Sequence, residues 1–418
     1  MAFINSEDIK TWRYKVANCV IINGDSATVI EPRCVVSIDI VNDYILNTFP
    51  IFKINLVLTD SKYYSILKNK NSLKVKLEIQ KYGKYESRDN ATIISKQYIN
   101  DTFVTIMDDL DYNREKDLDL EKSLVSADPN DEEFSKNDNM LELYLYREEV
   151  ANGIKKQINC VCSNATLSTV ITYILGNAGI KNALVSPLEN NKVYKELLLP
   201  PLTVNKLLGH LDAAYGFYKK GSIIFFGLDR SYILNFKGGC SVYETNEKKE
   251  TCIMVPKLLS ESAYMSGTVE NNDDRHYFIC NYTDISFENK STTNNVINGT
   301  STITTNIYGN KNTSDGKSNV IGTSNTKIVN NTGVNEWLAQ TYTAFSNASS
   351  TVIYISVIDI DLAAITPNKN FVFVFEDNEL SNKYKGNYLL TKSVFKFIND
   401  TSSGDFKILA TLQFNKIL

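Results

Sequence analysis

Apolar and polar residues alternate with a period of two over much of this chain. In Arg33–Ile40 (RCVVSIDI) and Ile51–Leu58 (IFKINLVL) side chains trade faces from one residue to the next, as a half-buried strand requires. Leu73–Ile79 (LKVKLEI) is the clearest case, with Leu73, Val75, Leu77 and Ile79 on one face and Lys74, Lys76 and Glu78 on the other. Between these strands Asp60 is placed to cap a short helix over Ser61–Lys68, where Tyr64 and Leu67 stand three apart. Strand, short helix, strand suits a small β-barrel with one helix across it.

The period changes to helical in the middle of the chain. Leu167, Val170, Ile171, Ile174 and Leu175 follow one helical stripe, with Thr166 as its cap and Gly176 or Gly179 as its end. A second stripe follows Pro200-Pro201, with Thr203 as cap and Val204, Leu207, Leu208 and Leu211 in line. The Lys219-Lys220-Gly221 turn between Tyr215–Tyr218 and Ile223–Phe226 predicts a hairpin. Further on, Val334, Trp337, Leu338 and Phe345 predict one more helix. The last strands are expected over Thr351–Ile358, Phe371–Phe375, Tyr388–Phe397 and Phe406–Phe414.

Two segments break the pattern. Asp108–Asn139 is acidic with few large apolar residues and is expected to be a solvated linker; it has no Gly and terminal Glu at EF-hand spacing. Phe287–Gly333 is rich in Asn, Thr and Ser and cannot bury enough apolar surface alone to offset its ordering entropy. Val296-Ile297 and Ile303/Ile307 could support an extended hairpin there. The expected fold class is α+β and β-rich, with two β-barrel domains and a central α/β region. The expected boundaries are 1–107 for a first barrel, 108–148 for the acidic linker and a strand, 149–239 for the α/β domain, and 240–418 for a second barrel with its polar insertion at 287–333.

Composition agrees. Of 418 residues, 24 are Tyr and 19 Phe, which favour pleated surfaces. A formal net charge of -4, with Lys scattered among Asp and Glu, argues against a nucleic-acid binder. The 7 Cys at irregular spacing argue against a disulfide framework and for folding in a reducing cytosol. The first residues, MAFINSEDIKTWRYK, do not read as a secretory signal, and no apolar run reaches the roughly 20 residues of a membrane span.

Candidate chemistry is thin. The 2 His, His210 and His276, are far apart, and His210 reads as a packed or surface imidazole on a helix. No Gly-X-Ser-X-Gly turn presents a nucleophile, and neither Gly-rich phosphate signature occurs. Cys160-Val161-Cys162 lacks a second pair of zinc ligands. Asp359 and Asp361 would point the same way from a strand and could share acid/base work, but read better as a solvated strand edge. The chain is therefore expected to be no enzyme, with no catalytic, cofactor-binding or metal residues and no cofactor.

Three stretches carry a resemblance. Tyr194–Thr203 (YKELLLPPLT), leading into His210–Tyr218 (HLDAAYGFY), resembles the LPPL…YGFY segment of baseplate-hub proteins from large contractile-tail phages. Pro50–Leu58 with Tyr63-Tyr64 and Leu73–Leu77 is similar to that family's first barrel, and Ile365–Lys369 followed by Tyr384–Tyr388 to its closing domain. The resemblance implies tube-like barrels and a trimeric ring whose paired barrels mimic six-fold symmetry. It also implies the tail tube, the central spike or tip and other baseplate proteins as partners. DNA would pass without specific binding, with no stable membrane insertion. The place implied is the virion baseplate, after folding in the host cytoplasm. A receptor- or glycan-binding tail protein is the alternative, its exposed Asn, Thr and Tyr making the contacts. A cell-wall hydrolase is a third reading with no residues to name.

Overall fold

A computed structural model describes residues 9–67, 73–84, 93–105, 138–218, 221–236, 250–256, 267–269, 275–297, 300–310, 319–329, 351–400 and 405–417. The acidic segment up to residue 137, the Lys219-Lys220 turn and the helix expected around Val334–Phe345 lie outside the described residues.

The alternating N-terminal segments form strands β1 (Ile9–Lys10), β2 (Trp12–Asn23), β3 (Ser26–Ile30), β4 (Val35–Asp43), β5 (Ile51–Thr59), β6 (Leu73–Lys84), β7 (Ile93–Thr105) and β8 (Asp138–Arg147). Helix α1 (Asp60–Leu67) joins β5 towards β6. Asp60 is the first residue of that helix rather than its cap, where its charge faces the positive end of the helix dipole. The middle contains α2 (Glu148–Ile154), β9 (Gln157–Thr166), α3 (Leu167–Ala178), β10 (Ala183–Val185), β11 (Val193–Thr203), α4 (Val204–Tyr215), β12 (Ser222–Phe226) and β13 (Ser231–Asn235). The C-terminal part holds β14 (Glu250–Val255), β15 (Gly267–Val269), β16 (Arg275–Ile279), β17 (Ile285–Ile297), β18 (Thr300–Asn310), β19 (Asn319–Val329), β20 (Thr351–Ile358), β21 (Asn370–Phe375), α5 (Asn378–Lys383), β22 (Asn387–Asp400) and β23 (Asp405–Lys416).

Strand pairing closes an eight-stranded antiparallel barrel in the order β2–β6–β7–β8–β5–β4–β22–β23 and back to β2 through Tyr14 opposite Phe406. Where a barrel within 1–107 was expected, the ring takes β8 from beyond the acidic segment and its last two strands from the C-terminal end. Its interior is filled: Tyr14, Phe52, Phe103, Phe397 and Phe406 are fully buried. Phe52 meets Phe103 edge to face at 5.1 Å, and Tyr14 meets Phe397 at 5.5 Å. Eight strands leave a bore that side chains fill. Among the described residues the interior of this barrel is packed with side chains.

A second β unit runs in the order β1–β15–β16–β14–β21–β22–β23–β20–β17–β18–β19, with β14 parallel to both β16 and β21. Phe287 on β17 stacks on Tyr384 at 4.1 Å and lies 6.0 Å from Phe375 of β21. β17 and β21 are separated by three strands in the ladder, so the sheet curls back over its own core. Among the described residues no ladder joins β16 to β17. Beyond Asn289, β17 leaves β20 and pairs only with β18, which pairs with β19, so the expected polar hairpin is a three-stranded arm.

The middle region has its own apolar cluster, built on both helical stripes. α3 starts and stops as expected: the Thr166 hydroxyl accepts from Thr169 N–H at 3.2 Å, and Gly179, at φ 78, ends it. α4 differs at its start, where the Thr203 hydroxyl donates to the Asn205 side chain instead of capping the backbone. The expected hairpin through Tyr215–Tyr218 does not form. The helical stripe carries on to Tyr215, Gly216 breaks it at φ 71, and Phe217 and Tyr218 turn into the core. β12 pairs instead with β13.

Candidate functional site: the joint between the two β units

β22 and β23 belong to both β units. The start of β22, Asn387–Tyr388, pairs with β21 and its later residues Lys392–Ile398 with β4. β23 touches β2 at Phe406 and pairs with β20 over Leu409–Asn415. Strands are stiff along their length, so this hairpin fixes one unit against the other.

The crossing point is also stitched by charge. Asp359, just past β20, sits at φ 52 and is 5% exposed. Its backbone carbonyl accepts from Trp12 N–H at 2.8 Å, and its N–H donates to the Ile408 carbonyl at 3.0 Å. Its carboxylate accepts from Ile408 N–H at 3.2 Å and pairs with Arg13 at 3.3 Å. Burial pushes that carboxyl above the usual carboxylate range, while the Ile408 N–H and then the Arg13 guanidinium pull it back. Asp361 meets Lys81 Nζ at 2.7 and 2.9 Å and accepts from Ala363 N–H at 3.0 Å. The Lys81 ammonium also lies 5.0 Å from the centre of the Trp12 ring. The Tyr14 hydroxyl donates to the Ile360 carbonyl at 3.2 Å and accepts from Leu362 N–H at 2.8 Å. Burial first, and then the Asp361 carboxylate, holds its phenol well above the ordinary value.

This corrects the sequence reading of Asp359 and Asp361. They are not a solvated strand edge: the left-handed turn at Asp359 ends the strand, and each carboxylate has its own cation. Arg13, Tyr14 and Lys81 were not singled out. A signal existed for Lys81, which stands at the position after Leu73, Val75, Leu77 and Ile79 on the inward face of β6. A lysine at a core position demands a buried partner.

A second joint docks the middle region on the barrel. Arg147, at the end of β8, pairs with Asp101 of β7 at 3.3 Å and with Glu149 of α2 at 3.5 Å, and donates to the Gly227 carbonyl at 3.3 Å. Phe49 stacks on Phe226 and Tyr44 meets Phe225 edge to face.

The remaining candidates stay apart. His210 is exposed on α4 and His276 lies on β16. Cys160 and Cys162 are half-buried on β9, with the Tyr173 hydroxyl 4.0 Å from the Cys160 sulfur. Among the described residues, no three His, Cys, Asp or Glu gather at metal-binding spacing, and no helix is long and apolar enough to cross a membrane.

Fold and joint define a β-rich α+β protein in which a filled eight-stranded barrel is fused to a second sheet. Residues 8–413 match the family described as Bacteriophage PBS1 gene 109 protein, and the chain belongs to that family. The phage resemblance read from the sequence is thereby borne out. No curated protein matches the chain in sequence. Among solved structures, the 43 kDa tail protein of prophage MuSo2 from Shewanella oneidensis matches at TM-score 0.43 and 10% identity, covering 94% of this chain and 97% of that one. A Francisella PdpA-VgrG complex (half-lidded) matches at TM-score 0.43 and 8% identity, covering 97% of this chain and 58% of that one. The E. coli c3393 protein, described as a type VI secretion system component with structural similarity to the T4 tail proteins gp27 and gp5, matches at TM-score 0.38 and 8% identity, covering 96% and 76%.

Proposed function

We propose that this chain is a non-enzymatic structural subunit of a phage tail baseplate, a hub subunit that joins the tail tube to the tip or spike and surrounds the DNA channel. The observation that carries the reading is the β22–β23 hairpin, which runs through a closed barrel and a second curled sheet. A chain with two β units in fixed relation suits a three-fold ring that must meet a six-fold tube, because three copies supply six units and a closed ring leaves no interface open. In this reading the second unit serves as the second tube-like barrel. In this reading the expected boundaries, 1–107, 108–148, 149–239 and 240–418, order the chain along the sequence, while β8 and the C-terminal hairpin complete the first barrel and β1 pairs into the second unit. The barrel interior is packed, so the channel belongs between the copies. Its partners are further copies of itself, the tube protein, the spike or tip and neighbouring baseplate proteins, and its place is the virion. Imaging of assembled tails tests this: three copies around the axis at the end of the tube are expected. Six copies per ring, or absence of the chain from purified tails by mass spectrometry, would overturn it.

A further inference from the structure

Cys160-Val161-Cys162 lacks the second pair of ligands that zinc needs, but the fold gives its two thiols a shared place. Both lie on β9, and Val161 between them is turned to the opposite face and exposed. Alternate residues of a strand share a face. The ladder is regular here, with Cys160 opposite Leu199 and Cys162 opposite Leu197 of β11. Each thiol is half-buried, and the Tyr173 hydroxyl of α3 lies 4.0 Å from the Cys160 sulfur. Burial first, and then the Cys160 sulfur, holds the Cys162 thiol above its ordinary value. The Cys160 sulfur, then burial and the Cys162 sulfur, do the same to the Tyr173 phenol. The three groups therefore sense one another across one small surface patch.

Two chemistries can join a pair of thiols. A disulfide needs sulfurs about 2.05 Å apart and Cα atoms usually about 5.5–6 Å apart. An extended strand advances about 3.3 Å per residue, which sets alternate Cα atoms about 6.6 Å apart. Closing a disulfide would pull β9 out of its ladder with β11. A cation held between two thiolates asks less, because two metal–sulfur bonds of about 2.3 Å span about 4.6 Å. The donor set then chooses the cation. Thiolates are soft ligands, and among the described residues no third Cys, His, Asp or Glu completes a site for an ion that wants four. A soft cation satisfied by two sulfurs remains. The other described cysteines offer no equal pair. Cys252 and Cys280 are buried, and Cys19, beside Cys34, is buried with its thiol pushed up to about 12.

We infer that Cys160 and Cys162 form a two-coordinate site for a soft monovalent cation of the copper(I) class. Both thiols give up their protons as the ion binds. Each copper(I) taken up therefore releases two protons and leaves an S–Cu–S bridge carrying one negative charge. The Tyr173 hydroxyl then donates to the Cys160 thiolate and orients it.

The test is anaerobic titration of the full chain with copper(I) held by the chelator bicinchoninate. Cys34→Ser with Cys240→Ser is the background, which removes the remaining thiols that are not buried or lie outside the described residues. This protein should take one copper(I), with an affinity that rises about 100-fold per pH unit between about pH 6 and pH 8, the mark of two released protons. Cys160→Ser and Cys162→Ser should each lose that copper, and Tyr173→Phe should hold it about tenfold more weakly. Thermal melts check that the variants fold; where serine destabilises, alanine at the same position is read by the same criteria. Failure to take copper, or uptake unchanged in both single-cysteine variants, overturns the inference. So does a pH dependence of only about tenfold per unit, which means a single thiol. A chain purified without reductant in which peptide mapping finds Cys160 joined to Cys162 as a disulfide overturns it too, because β9 then bends to close the bond.

Discussion

The joint and the arm are both β structure, and they are held together in opposite ways. At the joint, Tyr14, Phe371, Phe397, Phe406 and Phe414 are fully buried, and buried ion pairs bridge residues remote in sequence, such as Lys81 and Asp361. In the arm, β18 sets Thr302, Thr304 and Asn306 against exposed Lys327, Asn325 and Thr323 of β19. Backbone ladders, with the Thr323 hydroxyl donating to the Asn306 side chain at 3.0 Å, hold that polar surface. A ladder hydrogen bond contributes only about 0.5–1.5 kcal/mol net because water competes for the same groups. Burying a large apolar side chain contributes about 1.5–3 kcal/mol. The joint should therefore melt with the whole chain, and the arm should matter little to it.

The largest expected effect is at the joint. Asp361→Ala leaves the Lys81 ammonium buried without its carboxylate and should destabilise the chain by about 3–5 kcal/mol. Replacing both partners, Lys81→Met with Asp361→Leu, should recover most of that loss, since no charge is then stranded. Denaturant unfolding of the three proteins checks it. Equal loss in the single and double variants would mean that shape, not charge, governs the joint.

The arm should respond far less. Replacing residues 290–329 by a short Gly/Ser linker keeps Phe287 on Tyr384 and, among the described residues, removes the buried side chains of Ser301 and Ile303. The expected loss is about 1–2 kcal/mol, against about 3–5 kcal/mol for Phe287→Ala. The polar insertion read from the sequence starts at Phe287; the stack of Phe287 on Tyr384 moves the start of its removable part to Lys290. Thermal melts of the two variants separate the cases, and a linker variant that loses more than Phe287→Ala would mean that the arm is part of the core.

How far the chain was legible follows from range. Local signals were readable: the alternation of Leu73–Ile79, the stripe from Leu167 to Leu175 and the four C-terminal strands all appear where the pattern puts them. Strand partners are not local. Nothing near Arg13 announces that β2 meets Phe406, so the closing of the barrel by β22 and β23 was invisible. The joint was half visible, because Lys81 breaks an inward apolar row while Asp359 gives no hint of its left-handed turn. The hairpin through Tyr215–Tyr218 failed for the same reason in reverse. Aromatic residues either side of a Gly look like strands, but the helix stripe already owned Tyr215.

The smallest expected effect is the pH response of Asp359, and it separates burial from pairing within the joint. Its folded carboxyl titrates above the ordinary carboxylate value because burial outweighs the Ile408 N–H and Arg13. Between the unfolded value and the raised folded one, the native chain holds more protons than the unfolded chain. Stability then falls as pH rises. The contribution is fully present below the unfolded pKa and is lost as pH rises through the folded one. Asp359→Asn removes the titrating group while keeping a residue that tolerates φ 52. The variant should lose this downward slope in mildly acid solution, so that its stability relative to wild type improves as pH rises through that window. Melting temperatures taken at several mildly acid pH values measure it. A wild type that instead gains stability over this window relative to Asp359→Asn would mean that Arg13 dominates, and that the joint is held by the ion pair at its crossing point more than by burial.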